Sequence, residues 1–347
     1  MAQTPSKGPV VRAFRRVATH VNQARKNLYY RVRETPRGHA LLQAAEFIRS
    51  PLDNRERRAV AQEYLASTQV PIIEPAKGYG LTSADSFENF DAVIATSRAL
   101  FEEKRARIDA ELATVAGWPE EKRQRFLRRK DTFLRNLLTD EDLQRNPELV
   151  DFALSDALLG MTTRYLGVVP HLCRVDLVYS LPRTTGENLA SQLFHVDPEG
   201  LTQVKFFIHV YDVDEPEGPF TFIPADDTAR ILADIRALRR QQGKPHSGRY
   251  LDEEIAAVGG NDAIVRLKGP TGGGVAIDTS RCLHMGSRVQ PGAYRLCLYL
   301  QYCTSREQTN VFDVGRFEHD PVRYLAVKHS VTPNANRYRD SASQQMS

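Results

Sequence analysis

No run of about eighteen apolar residues occurs anywhere in the 347-residue chain, so the sequence offers no membrane span. The basic N-terminus is not followed by an apolar stretch and a cleavage site, and no secretory leader is expected. Cysteine is scarce: Cys173, Cys282, Cys297 and Cys303 are the four, and none has CxxC spacing. That argues against a disulfide framework or a zinc knuckle, and for reduced thiols in a cytoplasmic protein. Internal repeats and low-complexity tracts are also lacking. Excess charge is small, +4 overall, but unevenly spread. Residues 1–60 hold thirteen Lys/Arg against four Asp/Glu, a local +9 that leaves −5 for the remainder. A basic leading segment on a slightly acidic body points to something local and away from a general nucleic-acid binder.

What is present falls into two textures. Residues 10–32 read as a helix, with Val10, Phe14, Val17, Val21, Ala24 and Leu28 at spacings of three and four and Pro9 in front. The basic residues between them fit either a helix packed on the body with a solvated face or a surface helix for an anionic membrane or partner. The packed helix is the preferred reading, because basic amphipathic stretches are common in ordinary folds. Helical pattern continues over 38–49, 52–67, 85–113 and 119–138. A last segment runs from Asn146 to Leu166, with Pro147 near its start and Gly167 after its end. From about residue 170 the chain turns to β-branched and aromatic runs bounded by Gly, Pro and Asp: 174–179, 203–213, 220–223, 264–267, 274–278 and 294–302. Many short strands suggest a sandwich or barrel. Helical pattern over 226–260 interrupts them as an inserted flap, and after Cys303 the chain turns polar. The organisation expected is a helical region 1–145, a β core 146–305 and a polar tail 306–347.

The chemistry concentrates in that β region. His195-Val196-Asp197 precedes the strand pattern 203–213, and side chains two apart on an extended chain share a face, so an imidazole and a carboxylate can grip one metal. Taken alone the pair is uninformative. With nine histidines and 43 Asp/Glu, about one H-x-D/E is expected by accident, and the chain has one. His284 follows the strand pattern 274–278 and supplies a candidate third ligand if the two strands lie side by side, as they would in a jelly roll. Two His and one carboxylate leave three positions on iron, two for a chelating 2-oxo acid and one for dioxygen. Arg295, in the next strand pattern, offers a guanidinium able to clamp the far carboxylate of 2-oxoglutarate by two parallel hydrogen bonds.

In these residues the sequence resembles the phytanoyl-CoA dioxygenase-like Fe(II)/2-oxoglutarate oxygenases. Pro147–Gly167 looks like the family's helix before its barrel, His195-Val196-Asp197 matches its H-x-D, and Asp212 to Pro224 (DVDEPEGPFTFIP) resembles a hairpin ending in Gly-Pro and Ile-Pro. His284 matches the distal histidine, and Arg295 sits at the family's spacing for the co-substrate arginine. The resemblance covers about 147–303 and leaves the first 145 residues without a counterpart. It implies an α+β protein built on a double-stranded β-helix (jelly roll, cupin-like) with helices packed outside. The activity implied is decarboxylation of 2-oxoglutarate to succinate coupled to hydroxylation of a C–H bond, with Fe(II) held by His195, Asp197 and His284 and ascorbate as a supporting reductant. The substrate implied is a small or carrier-linked molecule; no nucleic acid is expected. Halogenating relatives replace the carboxylate by Gly or Ala, and Asp197 argues against that branch.

The sequence departs from the family pattern in one place. Where some members place a hydroxyl two residues after the distal histidine, this chain has Gly286, with Ser287 next; the contact to co-substrate shifts to Ser287 or is lost. Phe207 lies where an aromatic often lines the co-substrate pocket, and Lys205 and His209 share its strand face by alternation. Arg281 and Arg288 flank His284, either to greet an anionic substrate or in salt bridges to Asp278 or Asp176. Tyr179 and Gln192 fit either a ligand contact or packing, and Cys282 fits a buried small residue. Two other readings of the same motif are a non-catalytic cupin-like metal-binding or sensor protein, and a zinc or manganese isomerase on a cupin barrel. The second leaves Arg295 without a role.

Overall fold

The computed structural model describes residues 50–183, 190–197, 202–245, 247–286, 288–305 and 309–328, with residue 188 and several positions in 38–48. The helix expected over 10–32, most of 38–49, Ser287 and the last dozen residues lie outside the described residues.

Nine strands build two antiparallel sheets: β1 (Tyr79–Thr82), β2 (Leu134–Asn136), β3 (His171–Ser180), β4 (Gln203–His209), β5 (Phe220–Ile223), β6 (Val265–Leu267), β7 (Gly274–Ile277), β8 (Leu283–Met285) and β9 (Arg295–Cys303), counted among the described residues. The large sheet has the order β1-β7-β4-β9-β3-β2 and the small one β6-β5-β8. Neighbours in the large sheet are far apart in sequence, so side chains from distant segments share one surface. In register, Phe207 stands opposite Tyr299 on β9 and Val275 on β7.

Alternation gives the large sheet two unlike faces. Val204, Phe206 and Ile208 on β4, Leu296, Leu298, Leu300 and Tyr302 on β9, and Val175, Leu177 and Tyr179 on β3 turn one way, into the main apolar core. That core is closed by helices Phe90–Ala116, Glu148–Ala153, Asp156–Leu166 and Pro321–Val327. Gln203, Lys205, Phe207 and His209 turn the other way, toward the small sheet. A second cluster joins the two sheets at one side through Val275, Ile277, Phe220, Phe222, Leu267 and Cys282. Behind the small sheet, Leu283, Met285 and Ile223 pack on Ile231, Leu232 and Ile235. The layers therefore run helices, large sheet, small sheet, helix.

The helix behind the small sheet, Ala225–Gln241, is the first part of the segment expected as a flap. Its burial at Thr228, Ile231, Leu232 and Ile235 is the stripe of an amphipathic helix, with Asp226 and Asp227 in the first turn and Arg239 and Arg240 in the last matching the helix dipole. Other expectations shift for physical reasons. Of 119–138 only Glu120–Leu127 is helical. The chain beyond is drawn out to pair as β2 with β3, and the N–H groups of Leu137 and Leu138 both reach Oδ1 of the buried Asp176 at 3.0 Å. The segment 146–166 is two helices, broken between Ala153 and Asp156. The helix expected over 85–113 runs Phe90–Ala116, with Asn89 in the left-handed region in front. Within the stretch expected as a polar tail, Pro321–Val327 buries Val322, Leu325, Ala326 and Val327. No helix among the described residues is long and apolar enough to cross a membrane.

Candidate metal centre

His195 arrives on an extended segment just before β4, and His284 is the middle residue of β8. The two residues form an antiparallel bridge, exchanging N–H···O bonds of 2.9 Å in both directions. The segment carrying His195 thus continues the small sheet beyond β8, and both imidazoles lie on the side facing the large sheet. Two residues on, the N–H of Asp197 donates to the carbonyl of Thr279 at 2.8 Å. Thr279 belongs to the turn that leads into β8. Asp278 builds that turn by accepting from the N–H and hydroxyl of Ser280 with Oδ1, and from the Tyr165 hydroxyl with Oδ2 at 2.9 Å. Arg281 donates in turn to the Tyr165 oxygen and to the Pro75 carbonyl. One loop therefore fixes two of the three candidate ligands.

The donor atoms of His195, Asp197 and His284 all lie within 4.8 Å of one another. Nε2 of His195 is 3.5 Å from Oδ1 of Asp197, and Nε2 of His284 is 3.4 Å from Oδ2. Donors bound at about 2.1 Å and at right angles lie about 3 Å apart, so these spacings suit a common metal. The far ring nitrogens are already committed. Nδ1 of His195 donates to the Leu193 carbonyl at 2.8 Å, and Nδ1 of His284 to the Cys282 carbonyl at 3.0 Å. A proton held on each Nδ1 leaves each Nε2 with its lone pair, the tautomer a ligand needs. Burial, and next the neighbouring His284, lower the pKa of His195 to about 4. Burial alone would raise the carboxyl of Asp197; Lys205, whose Nζ is 2.6 Å from Oδ2, and the two imidazoles override it and hold the group well below the usual carboxylate range. The set is a carboxylate with two imidazoles whose Nε2 atoms face it, which is the donor chemistry of a divalent transition metal.

The remaining predicted residues fall around this group. Phe207 stacks on Phe220 at 4.0 Å between centroids, and Phe220 lies 5.6 Å from the His284 ring. Phe207 and its cross-strand neighbour Tyr299 stay partly exposed although β4 and β9 are central strands, so the inner face here opens onto a cavity. Arg295 is buried at the start of β9, beside Gly286, whose added Cβ would stand 3.6 Å from Nη2. Its Nη1 donates to the carbonyl of Gly218. Gly218 caps the Glu215–Glu217 turn at φ +65°, and any Cβ there would strike the Arg288–Val289 backbone at 2.6 Å. Burial pulls the Arg295 pKa down from its ordinary value, yet a guanidinium that starts so high stays charged. His209 shares the inner face, and burial, followed by the Arg295 charge, lowers its pKa to about 4.

Several sequence readings separate here. Tyr179 belongs to the helix-facing core and is no part of the cavity. Arg281 pairs with Tyr165 and a backbone carbonyl. Arg288 pairs with Asp252 and with the Gln192 carbonyl, neither of them the partner expected. Cys282 is buried, and its thiol is pushed well up by burial, as suits a packed residue. Sequence reasoning missed Tyr299, Phe220 and the carbonyls of Gly218 and Thr279. Tyr299 was findable, being two and four residues from the strand partners Cys297 and Arg295 and therefore on their face. The carbonyls carry no side-chain signal at all.

No protein-family model matches the chain, and no curated protein sequence matches it. Among solved structures it is similar to the non-haem alpha-ketoglutarate-dependent carbocyclase SnoK from nogalamycin biosynthesis, with 17% identity over 65% of this chain and 79% of that one and a TM-score of 0.39. It is similar to EctD from S. alaskensis in its apoform, with 16% identity, 66% and 73% covered and a TM-score of 0.41. HygX from Streptomyces hygroscopicus, solved with nickel and 2-oxoglutarate bound, shows 13% identity, 67% and 84% covered and a TM-score of 0.38. These likenesses are distant, and the function is read from the site itself.

Proposed function

We propose that the chain is a non-haem Fe(II)/2-oxoglutarate-dependent dioxygenase that hydroxylates a C–H bond of a small or carrier-linked substrate and releases succinate and CO2. We read its two facing sheets as a double-stranded β-helix and the protein as cytoplasmic. The observation that carries the reading is the convergence of two imidazoles and a carboxylate, with both Nδ1 atoms committed to backbone carbonyls so that both Nε2 atoms face Asp197. Iron, when bound there, supplies the redox chemistry that couples oxygen reduction to 2-oxoglutarate oxidation, with ascorbate keeping it reduced between turnovers.

The residues of this chain do the rest. His195, Asp197 and His284 hold the metal and leave the side toward the cavity open. Arg295 takes the distal carboxylate of 2-oxoglutarate in a buried, charge-assisted contact, with Ser287 a further candidate for that carboxylate. Phe207 and Phe220 form the apolar wall along which the co-substrate lies, excluding water from it. The primary substrate enters along the face that carries Tyr299. The decisive experiment supplies purified protein with Fe(II), ascorbate and 2-oxoglutarate and measures succinate. Slow uncoupled succinate formation that chelator abolishes and Zn(II) inhibits is the expected outcome. Succinate formation indifferent to chelator, or none under any loading, would sink the assignment.

A further inference from the structure

Lys205 stands on the inner face of β4 with its ammonium 2.6 Å from Oδ2 of Asp197, and the two side chains are only 8% and 11% exposed. A carboxylate this enclosed is costly to keep ionised unless a cation meets it. Of the groups that face Asp197, Lys205 makes the shortest contact, against 3.5 Å to Nε2 of His195 and 3.4 Å to Nε2 of His284, and it brings a full positive charge. Lys205 is thus the counter-ion that lets the metal-free chain fold with Asp197 charged. The ammonium also engages one chosen oxygen. Oδ2 takes the 2.6 Å contact from Lys205 and lies 3.4 Å from Nε2 of His284, whereas Oδ1 lies 3.5 Å from Nε2 of His195.

The geometry points to Lys205 as a positioning residue for the metal: it keeps Oδ2 of Asp197 occupied, so that the carboxylate offers the metal one donor atom instead of two. This rests on the metal-site reading above and deepens it. A carboxylate that chelates takes two coordination positions, and with two imidazoles leaves only two of six for everything else. A carboxylate with one oxygen held by Lys205 leaves three, the number required by a chelating 2-oxo acid plus dioxygen. A fixed positive charge beside the metal weakens metal binding by repulsion. Lys205 therefore trades metal affinity for open positions. That role differs from the co-substrate contact expected of it from strand alternation.

The test uses the full chain, wild type against Lys205→Met and Lys205→Arg, with Mn(II) as a redox-silent probe and calorimetry as the readout. Mn(II) is titrated into metal-free protein, and 2-oxoglutarate then into the Mn(II)-loaded protein. Lys205→Met is expected to bind Mn(II) about tenfold or more tightly, and 2-oxoglutarate about tenfold or more weakly, each about one decade of binding constant. Lys205→Arg, which keeps the charge and the donor, should stay within a few-fold of wild type on both. A residue that merely supports the fold would weaken both steps together, and that result, or no change in either, overturns the proposal. Metal-free Lys205→Met is expected to unfold at lower denaturant because it strands the Asp197 charge. Should it not fold well enough to titrate, Lys205→Gln keeps a donor without the charge, and must bind Mn(II) more tightly than wild type while its 2-oxoglutarate affinity stays within a few-fold; weakening of both steps overturns the proposal. Wild-type protein that binds no Mn(II) would refute the metal site itself, which separates failure of that reading from failure of the lysine's role.

Discussion

On β4, Val204, Phe206 and Ile208 point into the helices, while Gln203, Lys205, Phe207 and His209 point toward the small sheet; β9 divides in the same way between Leu296, Leu298 and Leu300 and Arg295, Tyr299 and Gln301. The two faces share every backbone hydrogen bond of the sheet, yet they have opposite economies. The helix-facing side gains from burying apolar surface, about 1.5–3 kcal/mol for each fully buried large side chain. The cavity side encloses a carboxylate, an ammonium, a guanidinium and three imidazoles, each of which loses hydration; Asp197 and Lys205 meet each other, while both ring nitrogens of His209 are buried without a hydrogen-bond partner among the described residues. Stability is thus concentrated on one side of the sheet and chemistry on the other, and substitutions on the two sides should fail differently.

The largest effect is expected on the helix side. Phe206 is fully buried and packs edge-on against Tyr302 at 5.6 Å, so Phe206→Ala should cost about 3–5 kcal/mol of stability in denaturant unfolding. Whatever protein remains folded should keep its metal and 2-oxoglutarate affinity. A loss of affinity without loss of stability would break the division between the faces.

Arg295→Ala is the reverse case. Removing one partner of a buried charged contact costs about 2–5 kcal/mol of binding, roughly thirty-fold or more in the half-saturating concentration of 2-oxoglutarate. Mn(II) affinity should stay near wild type. Arg295→Lys should recover only part of the loss, since an ammonium cannot reproduce the fork. An unchanged 2-oxoglutarate requirement would place the clamp elsewhere on the inner face.

The histidines sharpen the comparison through pH. Burial holds His195 and His209 at a pKa of about 4 in the folded chain, against an ordinary value of 6.5. Between those values the unfolded state binds more protons, so stability present above pH 6.5 is lost as pH falls toward 4. Each group contributes a slope of up to about 1.4 kcal/mol per pH unit. Urea midpoints of metal-free protein at pH 7.5, 6 and 5 should show this fall, and His209→Asn should flatten it. A flat profile would mean that the inner face is far wetter than its burial implies.

Gly286→Ser carries the smallest expected effect. Its Cβ would meet Arg295 at an ordinary contact distance of 3.6 Å, so folding should be unaffected. The added hydroxyl should change 2-oxoglutarate affinity by about one hydrogen bond, roughly 1 kcal/mol. An effect as large as that of Arg295→Ala would show that Gly286 is kept open for the co-substrate's own atoms.

Much of this division was legible in the sequence because a strand's period of two needs no partner to be read. The alternation in QVKFFIH put Lys205, Phe207 and His209 on one side, and the His195-Val196-Asp197 spacing put an imidazole beside a carboxylate. Helical periodicity likewise located Pro51–Ser67 and Phe90–Ala116 to within a few residues, since their burial repeats inside each segment. The short strands β1, β2 and β8 were not legible, because three or four residues hold too little pattern to compete with their neighbours. The helix read over 119–138 failed for a related reason: pairing with β3 and the Asp176 carboxylate outweighed local propensity beyond Leu127.

By itself the sequence determined which residues can bind a metal, which strand faces they occupy and in what order they come. Only the tertiary structure decided that β8 lies beside the His195 segment, that Oδ2 of Asp197 belongs to Lys205, and that carbonyls of Leu193 and Cys282 choose the imidazole tautomers. Those decisions are contacts across long loops or through backbone atoms common to every residue. Such contacts become energetically specific only after burial has removed the water that would otherwise satisfy the same groups.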